Sequence, residues 1–81
     1  MTVPTTDFAL RGDHITLDAL LKATGLASSG GEAKVFITEG RVQVNGEAET
    51  RRGRKLRAGD VVALGDAQVH LQAPAPGTAG Q

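Results

Sequence analysis

The sequence contains no cysteine, tryptophan or tyrosine, and two phenylalanines are its only large aromatic residues. Without cysteine, disulfide bonds and thiolate metal sites are excluded, and this composition fits a reducing compartment. No apolar run approaches the ~20 residues that a membrane-spanning helix requires, and the N-terminus lacks the basic and apolar regions of a signal peptide. We therefore expect a soluble, cytoplasmic protein that does not contact membranes.

Signals for catalysis are also missing. The chain has no phosphate-binding loop, no dinucleotide fingerprint and no zinc-ligand spacing. His14 and His70 belong to no shared motif, the nine carboxylates are scattered singly, and Ser28-Ser29 is better explained by helix capping than by nucleophilic attack. We expect a protein that is not an enzyme and that needs neither a metal nor a cofactor.

Eighty-one residues allow one small domain. We place a flexible N-terminus at residues 1–5, a single folded domain at 6–72 and a disordered tail at 73–81, because the tail is built from Ala, Pro, Gly, Thr and Gln and has nothing to bury. Residues 8–10 are expected to form a short edge strand.

Two helices are predicted in the first half of the domain. Thr16 is a suitable N-cap for a first helix whose apolar stripe contains Leu17, Leu20 and Leu21, and Gly25 ends it. A second helix over residues 31–39 starts with a capping box formed by Ser29 and Glu32, and Gly40 stops it. The two helices should bury their apolar faces against strands that follow.

Those strands are indicated by alternation and by two turn signals. Residues 41–44 alternate polar and apolar, and Asn45-Gly46 is a strong hairpin signal because both positions accept positive φ. A second tight turn is predicted at Gly65-Asp66, between strands with Val62, Leu64, Val69 and Leu71 inward. The predicted fold is α+β, with two N-terminal helices packed on a small, mostly antiparallel sheet of about four to five strands.

The clearest functional signal is a basic segment at residues 50–57, which holds five of the nine lysines and arginines and no acid. The net charge of the chain is zero, but the distribution of charge matters more than its sum. We expect that neighbouring acids do not relieve the repulsion between these cations. Lys34 and Arg41 are expected on the same side of the domain. The resulting surface should bind a polyanion. A solvated loop is the simpler alternative.

The order of motifs resembles the RNA-binding domain named after ribosomal small-subunit protein S4. Within that family it most resembles the small stand-alone YbcJ-like proteins, which share the Ser-Gly start of the second helix, the Ala-Lys pair and the Glu-Thr-Arg run at residues 49–51. The resemblance covers about residues 14–71 and is carried by residues 16–21, Gly25-Leu26, Ser29, Ala33-Lys34, Phe36-Ile37, residues 40–46 and residues 58–62.

The resemblance implies RNA binding through the second helix and the hairpin. The predicted contacts are Lys34, Arg41, Asn45, Arg51, Arg52, Arg54, Lys55 and Arg57. The wider family often has arginine where this chain has Thr16 and Gly30, so we expect the footprint to shift toward the basic segment. Because tryptophan and tyrosine are absent, we expect recognition of structured ribosomal or transfer RNA through phosphates rather than base stacking.

The expected protein is a monomer that functions in translation and can associate with the ribosome. The alternative is a protein-interaction adaptor that retains the fold and uses the basic segment to dock an acidic partner.

Overall fold

The computed structural model describes residues 5–74. In chain order the elements are β1 (Thr5–Ala9), β2 (Ile15–Thr16), α1 (Leu17–Ala23), α2 (Gly30–Thr38), β3 (Val42–Val44), β4 (Glu47–Ala48), β5 (Lys55–Leu56), β6 (Val61–Leu64) and β7 (Ala67–Gln72). The predicted flexible N-terminus and disordered tail lie outside the described residues, apart from Thr5, Ala73 and Pro74. Thr5 already belongs to β1, where it pairs with Gln68.

Five of the strands form one sheet in the order β1-β7-β6-β3-β4. The pairings of β7 with β6, β6 with β3 and β3 with β4 are antiparallel, whereas β1 joins β7 in parallel. The α+β class and the mostly antiparallel sheet are therefore confirmed. The edge strand is longer than the predicted residues 8–10, and its partner is the last strand of the described chain.

Two short hairpins build the centre of this sheet. At the β3–β4 turn Asn45 and Gly46 have φ values of 53° and 88°, as the sequence predicts for a turn with positive φ at both central residues. At the β6–β7 turn Gly65 alone has positive φ, 60°, which fits a turn that requires glycine at its first central position. Both turns fix the register that points the valines inward.

The first helix begins after Thr16, but not through the expected cap. Thr16 has the extended backbone of an N-cap residue, yet its side chain accepts no hydrogen bond from the helix. Its hydroxyl instead donates to Asp18 Oδ1 at 2.7 Å, and the same oxygen accepts from the Ala19 amide at 2.8 Å. Gly25 follows the helix with φ of 80°, as expected for a helix stop.

The second helix starts at Gly30, one residue before the predicted position, and ends at Thr38. Ser29 Oγ accepts from the Glu32 amide at 3.1 Å, which confirms the capping residue. The Glu32 carboxylate, however, accepts from the main chain and hydroxyl of Ser28 rather than of Ser29. The reciprocal half of the capping box is thus displaced by one residue, which still satisfies an amide at the helix start.

One apolar core joins the helices to the sheet. The α1 leucines predicted to be buried are all fully buried, and Phe36 packs half-buried at the edge of the core. The buried apolar side chains are Leu10, Leu17, Leu20, Leu21, Ala27, Ala33, Ile37, Val42, Val44, Leu56, Val62, Val69 and Leu71. Between residues 5 and 74, no helix combines the length and apolar character of a membrane span.

Candidate nucleic-acid interface

The basic segment is held against the domain by its apolar anchor and by a small second sheet. Leu56, the apolar residue among the cations, is fully buried in the core. Its strand, β5, pairs antiparallel with β2, so that Ile15 faces Leu56 and Thr16 faces Lys55. Two residues of the segment, Lys55 and Leu56, therefore belong to a two-stranded sheet, which attaches the segment to the domain.

The main chain of the same segment caps the start of α1. The Leu17 amide donates to the Arg54 carbonyl at 2.9 Å, and the Asp18 amide donates to the Arg52 carbonyl at 3.2 Å. The first amides of a helix have no partner inside the helix. Here the basic segment supplies their acceptors, so the two elements fix one another.

A buried glutamate organises two of the arginines. Glu49 is 7% exposed, and its Oε2 accepts from Arg51 Nε at 2.9 Å while its Oε1 accepts from Arg51 Nη2 at 3.2 Å. Oε1 also accepts from Arg54 Nη1 at 2.6 Å. A turn closed by the Arg54 amide and the Arg51 carbonyl, 3.3 Å apart, brings both guanidinium groups to this one carboxylate.

These bonds have an electrostatic consequence. Hydrogen bonds from Arg51, and then from Arg54, lower the pKa of Glu49 from its ordinary 4.5 to about 2, and the bond to Glu49 raises the pKa of Arg51. The expectation that no acid relieves the repulsion within the basic segment is therefore wrong. Glu49 lies one residue outside the segment in sequence but beneath it in space.

The other three cations of the segment remain available. The side chains of Arg52, Lys55 and Arg57 are exposed and have no hydrogen-bond or ion-pair partner within residues 5–74. Beside them is an open concavity of about 510 Å³, which is lined by Arg51, Gly53, Arg54 and Lys55. Three of the four residues that line this concavity are cations whose N–H groups can donate hydrogen bonds to phosphate oxygens.

Asn45 connects the β3–β4 turn to the chain that follows the basic segment. Its Nδ2 donates to Asp60 Oδ1 at 3.1 Å, and its Oδ1 accepts from the Val61 amide at 2.9 Å. Asp60 Oδ2 in turn accepts from the Arg57 amide at 2.9 Å. Both ends of the Asn45 amide therefore have structural partners, and a contact with RNA would use its second N–H.

Comparison with known proteins agrees with this architecture. A sequence model of the S4 domain matches residues 8–72. The chain belongs to the S4-domain family. It is 52% identical over 52 residues to the probable ribosome maturation protein RlbA of Bacillus subtilis (strain 168), covering 64% of this chain and 73% of RlbA. It is 42% identical over 60 residues to the putative RNA-binding protein YbcJ of Escherichia coli (strain K12), covering 74% of this chain and 86% of YbcJ.

The fold of this S4 domain is also similar to a solved structure. The solution structure of E. coli YbcJ, described as revealing an ALFAL motif involved in RNA binding, matches with a TM-score of 0.64 and 36% identity. The match covers 90% of this chain and 91% of YbcJ. The resemblance that the sequence indicated is therefore confirmed at the level of family and fold.

Two predicted contact residues of the S4 domain, Lys34 and Arg41, are not bonded to the basic segment within residues 5–74. Lys34 is exposed on α2. The Arg41 guanidinium lies 5.1 Å from the Phe36 ring centroid and 3.6 Å from Glu39 Oε1. No hydrogen bond or ion pair between residues 5 and 74 joins either cation to the segment, so their common side stays a prediction.

Glu49 is the site residue that sequence reasoning missed. It follows the last residue of β4, Ala48; its amide donates to the Val42 carbonyl of β3 at 2.9 Å, and its side chain is buried. Its spacing from Arg51 and Arg54, two and five residues, was a signal that an acid could serve both arginines. In the described part of the chain no cluster of three metal-ligating side chains occurs.

Proposed function

We propose that this protein is a small, non-catalytic RNA-binding protein that recognises structured ribosomal or transfer RNA through phosphate contacts. The observation that carries the proposal is the rigid attachment of the basic segment, whose backbone caps α1 and pairs with β2. Membership of the S4-domain family, and the description of the relative YbcJ as RNA-binding, support the same function. The proposed contacts are Lys34, Arg41, Asn45, Arg51, Arg52, Arg54, Lys55 and Arg57.

The mode of binding follows from the side chains available. Arginine and lysine contacts to phosphates supply affinity that depends on salt and carries no sequence information. Phe36 is half-buried and covered by the Arg41 guanidinium, so this ring is a poor platform for an unstacked base. We therefore propose that the protein reads the shape and backbone of folded RNA.

The cellular setting of the proposal is cytoplasmic, with the protein acting as a monomer in translation. The relative RlbA is described as a probable ribosome maturation protein, which supports association with ribosomal RNA or ribosomal particles. The adaptor alternative has no comparable support among the relatives.

Salt-dependent binding of bulk transfer RNA tests the proposal. The double variant Arg51→Ala/Arg52→Ala should flatten the slope of log affinity against log salt, because each phosphate contact contributes about 0.7–0.9 to that slope. The double variant Arg11→Ala/Lys22→Ala removes the same charge outside the proposed contacts and should leave the slope nearly unchanged. An unaltered slope in the first variant would remove the basic segment from the interface.

A nuclease experiment separates RNA binding from the adaptor role. Molecules that are captured together with the intact protein should be lost when ribonuclease is added before capture, because their complexes depend on RNA. A protein partner that is retained in full after ribonuclease treatment, together with absence of transfer or ribosomal RNA binding in vitro, would contradict the proposal.

A further inference from the structure

We propose that Glu49 is a positioning residue for RNA binding, which sets the guanidinium groups of Arg51 and Arg54 so that both can bind one backbone phosphate. This inference rests on the proposed function, because it concerns how the same surface binds its ligand. The cationic site therefore requires a carboxylate, although the negative charge of that group is repelled by RNA.

The hydrogen-bond pattern gives the first argument. Glu49 engages Nε and Nη2 of Arg51 but only Nη1 of Arg54. Arg51 keeps Nη1, and Arg54 keeps Nε and Nη2, without partners within residues 5–74. Because a guanidinium group is planar and rigid, fixing one edge also fixes the direction of the remaining N–H groups. Both arginines line the same open concavity, so their free donors share one binding space.

The cost of burying a carboxylate gives the second argument. A buried charge is unfavourable unless it is paired and hydrogen-bonded, and Glu49 satisfies this condition through both arginines and the Arg51 amide, which donates at 3.1 Å. Glu47, two residues earlier, is exposed and has no ion-pair partner within the described chain. The two acids carry the same charge in the same short stretch, but only Glu49 is built into the arginine pair.

Pre-organisation is the physical gain. An unrestrained arginine samples many rotamers, and that freedom is lost when it binds a phosphate. Glu49 restrains both side chains before RNA arrives, while it reduces the local charge from two to one. Positioning and simple neutralisation therefore predict opposite results when the glutamate is changed.

The decisive comparison is Glu49→Gln against Glu47→Gln, measured by affinity for bulk transfer RNA at one salt concentration. Both variants lose one negative charge. We expect Glu49→Gln to weaken binding by about threefold or more, since it releases charge-assisted bonds to the arginines, and Glu47→Gln to leave binding unchanged or strengthen it. If Glu49→Gln strengthens binding as much as Glu47→Gln, the inference is overturned and Glu49 only neutralises charge.

Glu49→Asp is a second variant that keeps the charge and shortens the reach by one methylene. Electrostatics alone predicts no change in affinity, whereas positioning predicts weaker binding, and equal affinity would again overturn the inference. Urea unfolding of each variant shows whether it is folded under the binding conditions. If the glutamine variant does not fold, the aspartate variant carries the test.

The Arg51 Nε–H resonance in ¹⁵N NMR spectra gives a readout that does not involve RNA. We expect a resolved, slowly exchanging signal in the wild-type protein and in Glu47→Gln, and its broadening or loss in Glu49→Gln. If wild-type protein binds RNA but neither Glu49 variant is weakened, only this inference fails. If wild-type protein binds no RNA although the signal is protected, the proposed function fails while the arginine geometry stands.

Discussion

The basic segment contains two kinds of cation that look alike in the sequence. Arg51 and Arg54 share the Glu49 carboxylate, and Arg54 is only 34% exposed. Arg52, Lys55 and Arg57 extend from the same short stretch into solvent. We call the first two the tethered pair and the other three the free trio. The tethered pair with its glutamate carries a net charge of one, so most of the segment's excess charge belongs to the free trio.

This difference indicates that long-range attraction and a defined phosphate contact can be provided by different cations of one segment. The free trio is suited to long-range attraction, which depends on charge and salt rather than on exact placement. The tethered pair is suited to a defined contact, because its side chains are already fixed. Counting the cations in the sequence gives the total charge but not this division.

The largest expected effect comes from removing the anchor that both groups share. Leu56→Ala should lower the free energy of unfolding by about 2–5 kcal/mol, because a fully buried leucine is truncated in the core. Urea denaturation followed by circular dichroism measures the loss. Lys55→Ala, the adjacent exposed position, should change stability by less than about 0.5 kcal/mol. Equal effects at the two positions would contradict the assignment of Leu56 as the anchor.

The next effect separates the tethered pair from the free trio. Arg54→Ala should cost about 1–3 kcal/mol of stability, because it deprives the buried Glu49 of a hydrogen-bond donor. Arg57→Ala removes an exposed side chain that has no hydrogen-bond or ion-pair partner within residues 5–74, and its stability should stay within about 0.5 kcal/mol of wild type. The same urea measurement gives both values, and a comparable loss in Arg57→Ala would remove the distinction.

The pH dependence of stability should reveal the bonds between Glu49 and the tethered pair. The pKa of Glu49 is lowered to about 2 in the folded protein, so the unfolded chain takes up its proton first as the pH falls. The stabilisation is complete above about pH 4.5, the unfolded value, and is lost as the pH falls toward 2. Between these pH values, the midpoint temperature of thermal unfolding should fall less steeply with decreasing pH in Glu49→Gln than in wild type. Glu47→Gln should retain the wild-type slope.

The smallest expected change in stability accompanies a clear change in binding. Arg52→Ala/Lys55→Ala should unfold within about 0.5 kcal/mol of wild type, since both side chains are exposed. Its slope of log RNA affinity against log salt should nevertheless fall by up to about 1.4–1.8, for two lost phosphate contacts. A stable double variant with an unchanged slope would show that the free trio does not contribute to attraction.

Much of the fold could be predicted because its signals are local. The leucine spacing of α1, the Ser29 cap and the Asn45-Gly46 turn depend on residues within a few positions of each other. Leu56 is the same kind of signal, because one apolar residue among cations has little reason to be in solvent. Each of these local signals agrees with the described structure.

Two of the features that were missed, the β1–β7 and β2–β5 pairings, join residues that are far apart in the sequence. The parallel pairing of β1 with β7 joins residues more than 60 positions apart, such as Thr5 and Gln68, and alternation along a strand does not identify its partner. The β2–β5 pair is only two residues long on each side. Glu47 and Glu49 are two positions apart, so alternation along a strand assigns them to the same face and does not indicate which of the two acids is buried.

The capping of α1 by the basic segment makes two main-chain hydrogens internal reporters of that surface. The Leu17 and Asp18 amides are bonded to carbonyls of the segment rather than to their own helix, so solvent deuterium can replace their hydrogens only when these bonds open. A ligand that holds the segment closed should slow this exchange at two positions that it never touches. The helix start thereby provides a means to follow occupancy of the surface from inside the protein.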